Sequence, residues 1–285
     1  MLNTNDINFV TKSSLSAENS TVKIDVVTLI PHFNDIEGLK GAILSTKFSG
    51  TLEFVIVDDG SSSKPCIEYL KKLTSFNCHV IYLSENQGIE LALNMGLLYI
   101  LSKIRCKYIA RMDCGDVSES SRLDTQIKFL AENQNIKLVG SWVDFIDENG
   151  TYLYSLKFPE SHSDIVKRLP ISVPFMHPSV VFDIEVLSKV KSYPTQYKAA
   201  EDYAFFYAVV KNFETANIPE VLIKVRLRQD GISLKNRRIQ LKSRLRIILN
   251  NWEFNCRYIS GVFRVLVLFF LPHAFTEKIK RRFWV

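Results

Sequence analysis

Five short apolar runs, Ile24 to Ile30, Leu52 to Val57, His79 to Leu83, Tyr108 to Met112 and Lys137 to Trp142, punctuate the first half of this chain. Between them, apolar residues recur at helical spacing: Ile36, Leu39 and Ile43, then Ile67, Leu70 and Leu73, then Leu91, Met95 and Leu98, then Ile127 and Leu130. Near-continuous apolar runs are strands buried on both faces, which happens when crossover helices cover a mostly parallel sheet. The alternation therefore predicts an α/β, doubly wound architecture.

In such sheets ligands bind outside the carboxyl ends of the strands. Three loops fall there: Pro31-His32-Phe33-Asn34-Asp35, Asp58-Asp59-Gly60-Ser61 and Arg111-Met112-Asp113-Cys114-Gly115-Asp116. Asp-Gly-Ser is by itself also a turn that closes a strand. A second acidic tip, with a glycine that admits another group to the backbone, suits a phosphorylated ligand. The three loops are expected to share one crevice.

After Asp144 the pattern changes. Asp147-Glu148-Asn149-Gly150 reads as a hairpin turn between Phe145-Ile146 and Tyr152 to Leu156. A short helix with Ile165, Val166 and Leu169, a strand at Ser179 to Phe182, a helix from near Glu201 and a strand at Val221 to Arg226 follow. With no internal repeat or low-complexity linker, the second half reads as an extension of the first sheet.

Composition narrows the classes. With 285 residues and 47% hydrophobic content the chain can bury a full core. Cys66, Cys78, Cys106, Cys114 and Cys256 form no Cys-x-x-Cys pair and leave an odd count, against a disulfide framework or zinc cage and in favour of a reducing cytosol. The Asn-, Ser- and Thr-rich residues 1–21 lack a basic start followed by an apolar stretch, so they read as a disordered lead-in and not a secretory signal. The net charge of +6 conceals an asymmetry: residues 235–285 hold twelve Lys or Arg against two Glu, and the rest of the chain is net negative.

Seven motifs occur in order: Pro31 to Asn34; Val57-Asp58-Asp59-Gly60-Ser61; Asn86-Gln87-Gly88 with Ala92-Leu93-Asn94; Asp113 to Asp116 with Arg122-Leu123; His177-Pro178-Ser179; Glu201-Asp202-Tyr203; and Ile218-Pro219-Glu220-Val221-Leu222. Together, over roughly residues 23–233, they resemble the inverting glycosyltransferases of family 2. The resemblance implies the GT-A fold, a Rossmann-like mixed sheet, over residues 22–233. Residues 22–116 would form the nucleotide-sugar half and 117–233 the acceptor half.

It also implies roles. Pro31, Phe33, Asn34, Asp58 and Asp59 would hold the nucleotide, with Asp59 accepting from a uracil or thymine N–H, a contact only an acceptor can make. Asn86 and Gly88 would flank the diphosphate, and Arg111 and Asp113 would meet the diphosphate and donor sugar. Asp113 and Asp116 would hold Mg or Mn, which offsets charge developing on the leaving phosphate. Two departures weaken that ligand set. Gly115 stands where the common Asp-Ala-Asp-Asp form has its metal-gripping carboxylate, and Arg226-Leu227-Arg228 stands where many relatives have Arg-x-His. Arg228 is therefore assigned to the diphosphate, because a guanidinium matches phosphate oxygens.

Asp202 is the implied base that takes the acceptor hydroxyl's proton during in-line attack. Glu201 and His177 would lie on the acceptor side, although a lone His is more often a core residue and an acidic residue at a helix start also complements its dipole.

The final segment, 234–285, reads as a basic helical tail. Arg237, Arg238, Lys242, Arg244 and Arg246 interleave with Ile239, Leu245, Ile248, Leu249 and Trp252. Tyr258 to Leu271 is apolar but broken by Arg264 and ended by Pro272, short of the ~20 residues that span a bilayer. Phe275, Ile279 and Phe283, among Lys278, Lys280, Arg281, Arg282 and Trp284, complete a pattern that suits a helix lying on an anionic membrane surface. Packing of Val262 to Leu271 on the catalytic domain is the competing use.

The expectation is a hexosyltransferase, peripheral on the cytoplasmic face of the inner (plasma) membrane, using a UDP-linked nucleotide-sugar. Its acceptor would be a polyprenyl-diphosphate-linked saccharide in O-antigen (lipopolysaccharide), capsule or exopolysaccharide biosynthesis. A sugar nucleotidyltransferase would need a Gly-rich basic loop after its first strand, which Pro31 to Asp35 lacks. A nucleic-acid binder is disfavoured because the core is net negative and the tail apolar. An inactive GT-A-fold scaffold of a polysaccharide assembly complex is the alternative Gly115 raises.

Overall fold

The computed structural model describes residues 9–13, 23–227 and 236–271, arranged in two compact units. The first unit runs to Phe129 and includes Val181–Ile184; the second comprises Leu130–Val180 and the chain from Glu185 onward.

In the first unit the strands are β1 (Phe9–Ser13), β2 (Ile24–His32), β3 (Leu52–Asp58), β4 (Asn77–Leu83) and β5 (Cys106–Arg111). The helices α1 (Ile36–Ser45), α2 (Ile67–Leu73) and α3 (Ile89–Lys103) connect β2 through β5. The short β6 (Val117–Ser118) precedes α4 (Arg122–Glu132). Strands β4, β3, β2 and β5 lie side by side in that order, all parallel, and every residue of β3 is buried. That is the two-faced burial the apolar runs demanded. Parallel pairing aligns strand ends: His32 is opposite Asp58, and Leu29 opposite Arg111. All three tips therefore reach the same edge of the sheet.

The sheet also contains antiparallel pairs. β1 pairs antiparallel with β4, and β9 (Val181–Asp183) pairs antiparallel with β5. The strand expected from Ser179 begins two residues later because His177–Ser179, with Pro178 inside, forms a 3-10 turn.

The second unit contains β7 (Ile136–Ile146), β8 (Tyr152–Leu156) and β10 (Glu214–Arg226), with β7 antiparallel to β8 and parallel to β10. The Asp147 to Gly150 turn closes the first pair; Asp147 Oδ1 accepts from the amides of Asn149 and Thr151. β10 starts seven residues before the expected Val221, and its register with β7 shifts between Ile218 and Val221. Pro219 lies in that irregularity, where a missing N–H costs the ladder least.

Helices α5 (His162–Arg168), α6 (Val186–Lys189), α7 (Glu201–Asn212), α8 (Arg237–Asn250) and α9 (Cys256–Phe270) complete this unit. α8 is less cleanly two-sided than its sequence implied. Leu241, Ser243, Ile247 and Ile248 are buried, whereas Ile239 and Leu249 are exposed. Arg237 donates at 2.7 Å to the carbonyls of Leu268 and Leu271, satisfying the last turn of α9 with a cation where the helix dipole favours one. Gly261 lets α9 close on the chain: a Cβ there would lie 2.0 Å from the Pro170 carbonyl oxygen. No helix among the described residues is long and apolar enough to cross a membrane.

Candidate active site

At the tip of β2 and β3, a buried His–Asp pair organises the loop. The amide of Asp35 donates to His32 Nε2 at 3.2 Å, which leaves the ring proton on Nδ1, donated to Asp58 Oδ1 at 2.8 Å. His32 and Asp58 are both fully enclosed. Asp58 is thereby turned inward as an anchor. Its neighbour Asp59 holds a different loop, accepting from the amides of Gln87 (2.8 Å) and Gly88 (2.9 Å). Burial raises the Asp59 carboxyl above its ordinary range; the Gln87 and Gly88 amides pull it back only in part, and Asp58 and Glu90 add to the rise. A carboxylate offers about four acceptor positions, so two amides leave room for a ligand N–H.

Asn34 adopts a left-handed backbone (φ 51°), and its side chain accepts from the amide and hydroxyl of Ser62, each at 2.9 Å. Its own amide donates to Ser61 Oγ at 2.8 Å. These bonds knit the β2 and β3 tips and leave Phe33 about half exposed beside them. Non-glycine residues held at positive φ cluster at binding sites, where surrounding bonds maintain them.

The acidic turn meets the same loop. Cys114 Sγ donates to the Pro31 carbonyl (3.4 Å), and the Gly115 amide donates to the Gly38 carbonyl (3.1 Å). Arg111, enclosed in the core, donates through Nη1 to the Met112 carbonyl and through Nη2 to Asp113 Oδ1 at 2.5 Å. Arg122, also enclosed, donates to the Arg111 carbonyl (2.8 Å) and to Gln126 Oε1 (3.0 Å). Burial pulls the Arg122 guanidinium down to about 9, against the attraction of buried Asp116 and with the repulsion of Arg111. Two arginines thus brace the turn from behind.

The donors available for a divalent cation are hard oxygens, the carboxylates of Asp113 and Asp116. Gly115 adds none, and its φ of 91° is backbone that a side-chain-bearing residue adopts only with strain. Among the described residues, no group of three or more His, Cys, Asp and Glu side chains could hold a metal. One or two carboxylates completed by water and substrate phosphates is nonetheless the usual set for Mg. The residues fit such an ion, and they do not fit zinc.

The remaining expected site residues belong to the second unit. Glu201 and Asp202 open α7, the first buried and the second half-buried, with Asp202 Oδ1 accepting from the Tyr203 amide at 2.7 Å. Ala199, just upstream, has a φ of 58°. His177 is buried in an aromatic cluster, its Nε2 3.0 Å from the Tyr193 hydroxyl and its ring edge-on to Phe206. Arg228 lies outside the described residues, as does the tail beyond Leu271.

In the first unit, Asp59 bonds Gly88 and Arg111 bonds Asp113 directly, while Pro31, Asn34 and Asp58 are tied into the same strand-end loops through Cys114, Ser61, Ser62 and His32; Phe33, Asn86 and Asp116 lie in those loops. Two contributors carried no assigned role in the sequence reading, His32 and Arg122. A histidine at the buried end of β2 marked the first. The second was marked by a cation in the first turn of α4, where the helix dipole disfavours it.

Residues 28–188 match the profile of Glycosyl transferase family 2. An O-antigen biosynthesis glycosyltransferase of Escherichia coli, WbnJ, is 31% identical over 190 residues, spanning 65% of this chain and 72% of its own. A second E. coli protein, named UDP-Gal:alpha-D-GlcNAc-diphosphoundecaprenol beta-1,3-galactosyltransferase, is 24% identical over 241 residues, spanning 81% and 86%. The S. aureus TarS 1-349 crystal structure in complex with UDP superposes with a TM-score of 0.63 at 15% identity, covering 90% of this chain and 75% of that one. At that identity the likeness speaks for the fold.

Proposed function

This chain belongs to glycosyl transferase family 2, and from that premise we propose that it transfers a hexose, with inversion, from a UDP-linked donor to a saccharide on a polyprenyl diphosphate at the cytoplasmic face of the plasma membrane. The product would enter a surface polysaccharide. The observation that carries this reading is the bonded constellation at the ends of β2, β3 and β5. A relative whose name includes a lipid diphosphate acceptor, matched over 81% of this chain, supports the acceptor class.

In this reading Asp59 accepts from the base N–H through its unused lone pairs, and the exposed Phe33 offers a face to the base. Asp58 keeps its inward role, with His32 holding the β3 tip while Asp59 faces the Gln87–Gly88 loop. The Asn86 to Gly88 loop, tied to Asp59, lies along the diphosphate. Asp113 and Asp116 would hold Mg or Mn, which when bound stabilises charge on the departing diphosphate. Arg111 keeps Asp113 oriented, and Arg228 is assigned to the phosphates. Asp202 takes the proton from the acceptor hydroxyl as it attacks, with Glu201 and His177 shaping the acceptor side.

Asp202→Asn tests the assignment. Transfer should fall by about 10²- to 10⁴-fold while UDP binding, read by calorimetry, stays unchanged. Near-normal turnover would remove Asp202 as the base. Membrane association is supported by the basic tail and by the water-facing apolar stripe of α9, where Ile259, Phe263, Leu266 and Phe270 are exposed.

A further inference from the structure

The second unit gathers positive charge around Ile171. An open cavity of about 490 Å³ has Lys157, Lys167, Arg168 and Arg257 on its walls, with Asp164 as its one carboxylate. Lys167 occupies that carboxylate at 2.7 Å. Lys157 rests over the Trp142 ring, 5.0 Å from its centre, and Arg257 makes no ion pair among the described residues.

A second, smaller cavity that shares Ile171 contains Arg244 and Arg264. Arg264 donates to the Ile171 carbonyl at 3.0 Å, and Arg244 Nε is buried without a hydrogen bond. Burial pulls the Arg264 guanidinium down to about 10, and the neighbours that push it further the same way are Arg168 and Arg244. Cations crowded against one another in partial burial cost free energy that an external anion offsets. Of these three cations Arg168 also lines the open cavity, beside Lys157 and Arg257, and charge complementarity points to a phosphate-sized anion there.

The helix that supplies Arg257 indicates where such an anion comes from. α9 buries Tyr258, Gly261 and Val265 against its own unit. Its other face, Ile259, Phe263, Leu266 and Phe270 at helical spacing, stays in water, with Phe270 88% exposed and the preceding Phe254 fully exposed. A soluble anion would give this stripe no cover. A bilayer supplies both an anionic surface and an apolar layer beneath it. The sequence beyond Leu271 continues in the same character, with Phe275, Lys278, Lys280, Arg281, Arg282 and Trp284.

We propose that the cavity walled by Lys157, Arg168 and Arg257 binds the phosphate of an anionic membrane lipid while the outer stripe of α9 lies in the acyl boundary. This deepens the membrane part of the proposed function and rests on it. It goes further by assigning headgroup recognition to a folded site within the second unit and not to the basic tail alone.

Vesicle flotation of the full chain tests it, using phosphatidylcholine alone and phosphatidylcholine mixed with phosphatidylglycerol. Wild type should favour the mixed vesicles. The double variant Lys157→Ala/Arg257→Ala should lose about fivefold in affinity per side chain for them and keep its weak binding to neutral vesicles. Phe263→Ser/Phe270→Ser should bind both poorly. All four side chains are exposed or line an open cavity, and unchanged thermal unfolding midpoints check that the variants fold. Wild-type affinity for mixed vesicles in the double alanine variant overturns the site. So does a preference abolished only by neutralising Lys278, Lys280, Arg281 and Arg282. Complete displacement by glycerol phosphate, or by short duplex DNA, would reassign the cavity to a soluble ligand and overturn the lipid. UDP release from UDP-hexose, measured in parallel, should be unchanged in the variants. Its absence from wild type would count against the transferase reading and leave the vesicle result standing.

Discussion

Replacing Arg122 with lysine keeps a cation behind the acidic turn but changes when it can exist. Arg122 is completely enclosed, and burial already pulls its guanidinium down to about 9. An ammonium starts near 10.4 in water, below a guanidinium, so the same burial pulls it down into the pH range near neutrality. A base whose folded pKa is depressed costs stability while it is charged, and the cost is relieved as pH rises from the folded value towards the unfolded one. Between these limits the unfolded chain holds one more proton, and stability climbs by about 1.4 kcal/mol per pH unit. From pH 6 to 8.5 Arg122→Lys should therefore gain about 2 kcal/mol relative to wild type, whose own relief begins only near the upper end of that range.

Urea unfolding at several pH values reads this directly. With a slope of about 1–3 kcal/mol/M, the midpoint of the variant should move upward by roughly 1 M relative to wild type. The comparison cancels every titration the two proteins share. Parallel profiles for the two chains would refute the claim that a buried charge sits behind the turn.

Asp59→Asn should weaken UDP binding by roughly ten- to a hundredfold, the loss of a hydrogen bond to a charged acceptor. Its stability should change by less than about 1 kcal/mol, because burial already outweighs the Gln87 and Gly88 amides and raises the carboxyl. Calorimetry with UDP and thermal unfolding measure the two, and equal UDP affinity removes Asp59 from the base site. Because that carboxyl is raised, wild-type UDP binding should also decline on acidification before an ordinary aspartate would protonate, and the asparagine variant should lack this limb. Gly261→Ala forces a methyl against the Pro170 carbonyl and should cost about 1–3 kcal/mol by overpacking; an unchanged unfolding midpoint would mean that α9 does not pack there. With only Asp113 and Asp116 in the turn, Mn²⁺ should bind measurably only when UDP is present to complete its shell. Tight Mn²⁺ binding to the UDP-free protein, seen by calorimetry, would refute the two-carboxylate account.

The parallel core of the first unit was legible because its information is local. Strands such as β3, buried at every position, are apolar except where a partner satisfies the polar group, as His79 and Asn77 do for Glu53, so they stand out as apolar runs whose ends mark the ligand edge. Pro31 to Asp35, Asp58-Asp59 and Asp113 to Asp116 were located by that logic alone, and the family resemblance supplied their roles. β10 was half hidden, because Pro219 broke its pattern at a register shift that β7 tolerates.

Other features depend on which groups come within about 3 Å of each other, and periodicity carries no such information. Val181–Ile184 joins the first unit across some fifty intervening residues, since so short a strand is placed by an available ladder and not by its own three residues. His32 as an Asp58 partner, Arg122 as a bond to the Arg111 carbonyl, and the arginines around Ile171 became visible only in three dimensions. Burial patterns are written in the chain because each residue bears its own hydrophobicity. Polar partnerships are decided by the fold, because a hydrogen bond or an ion pair belongs to two residues at once.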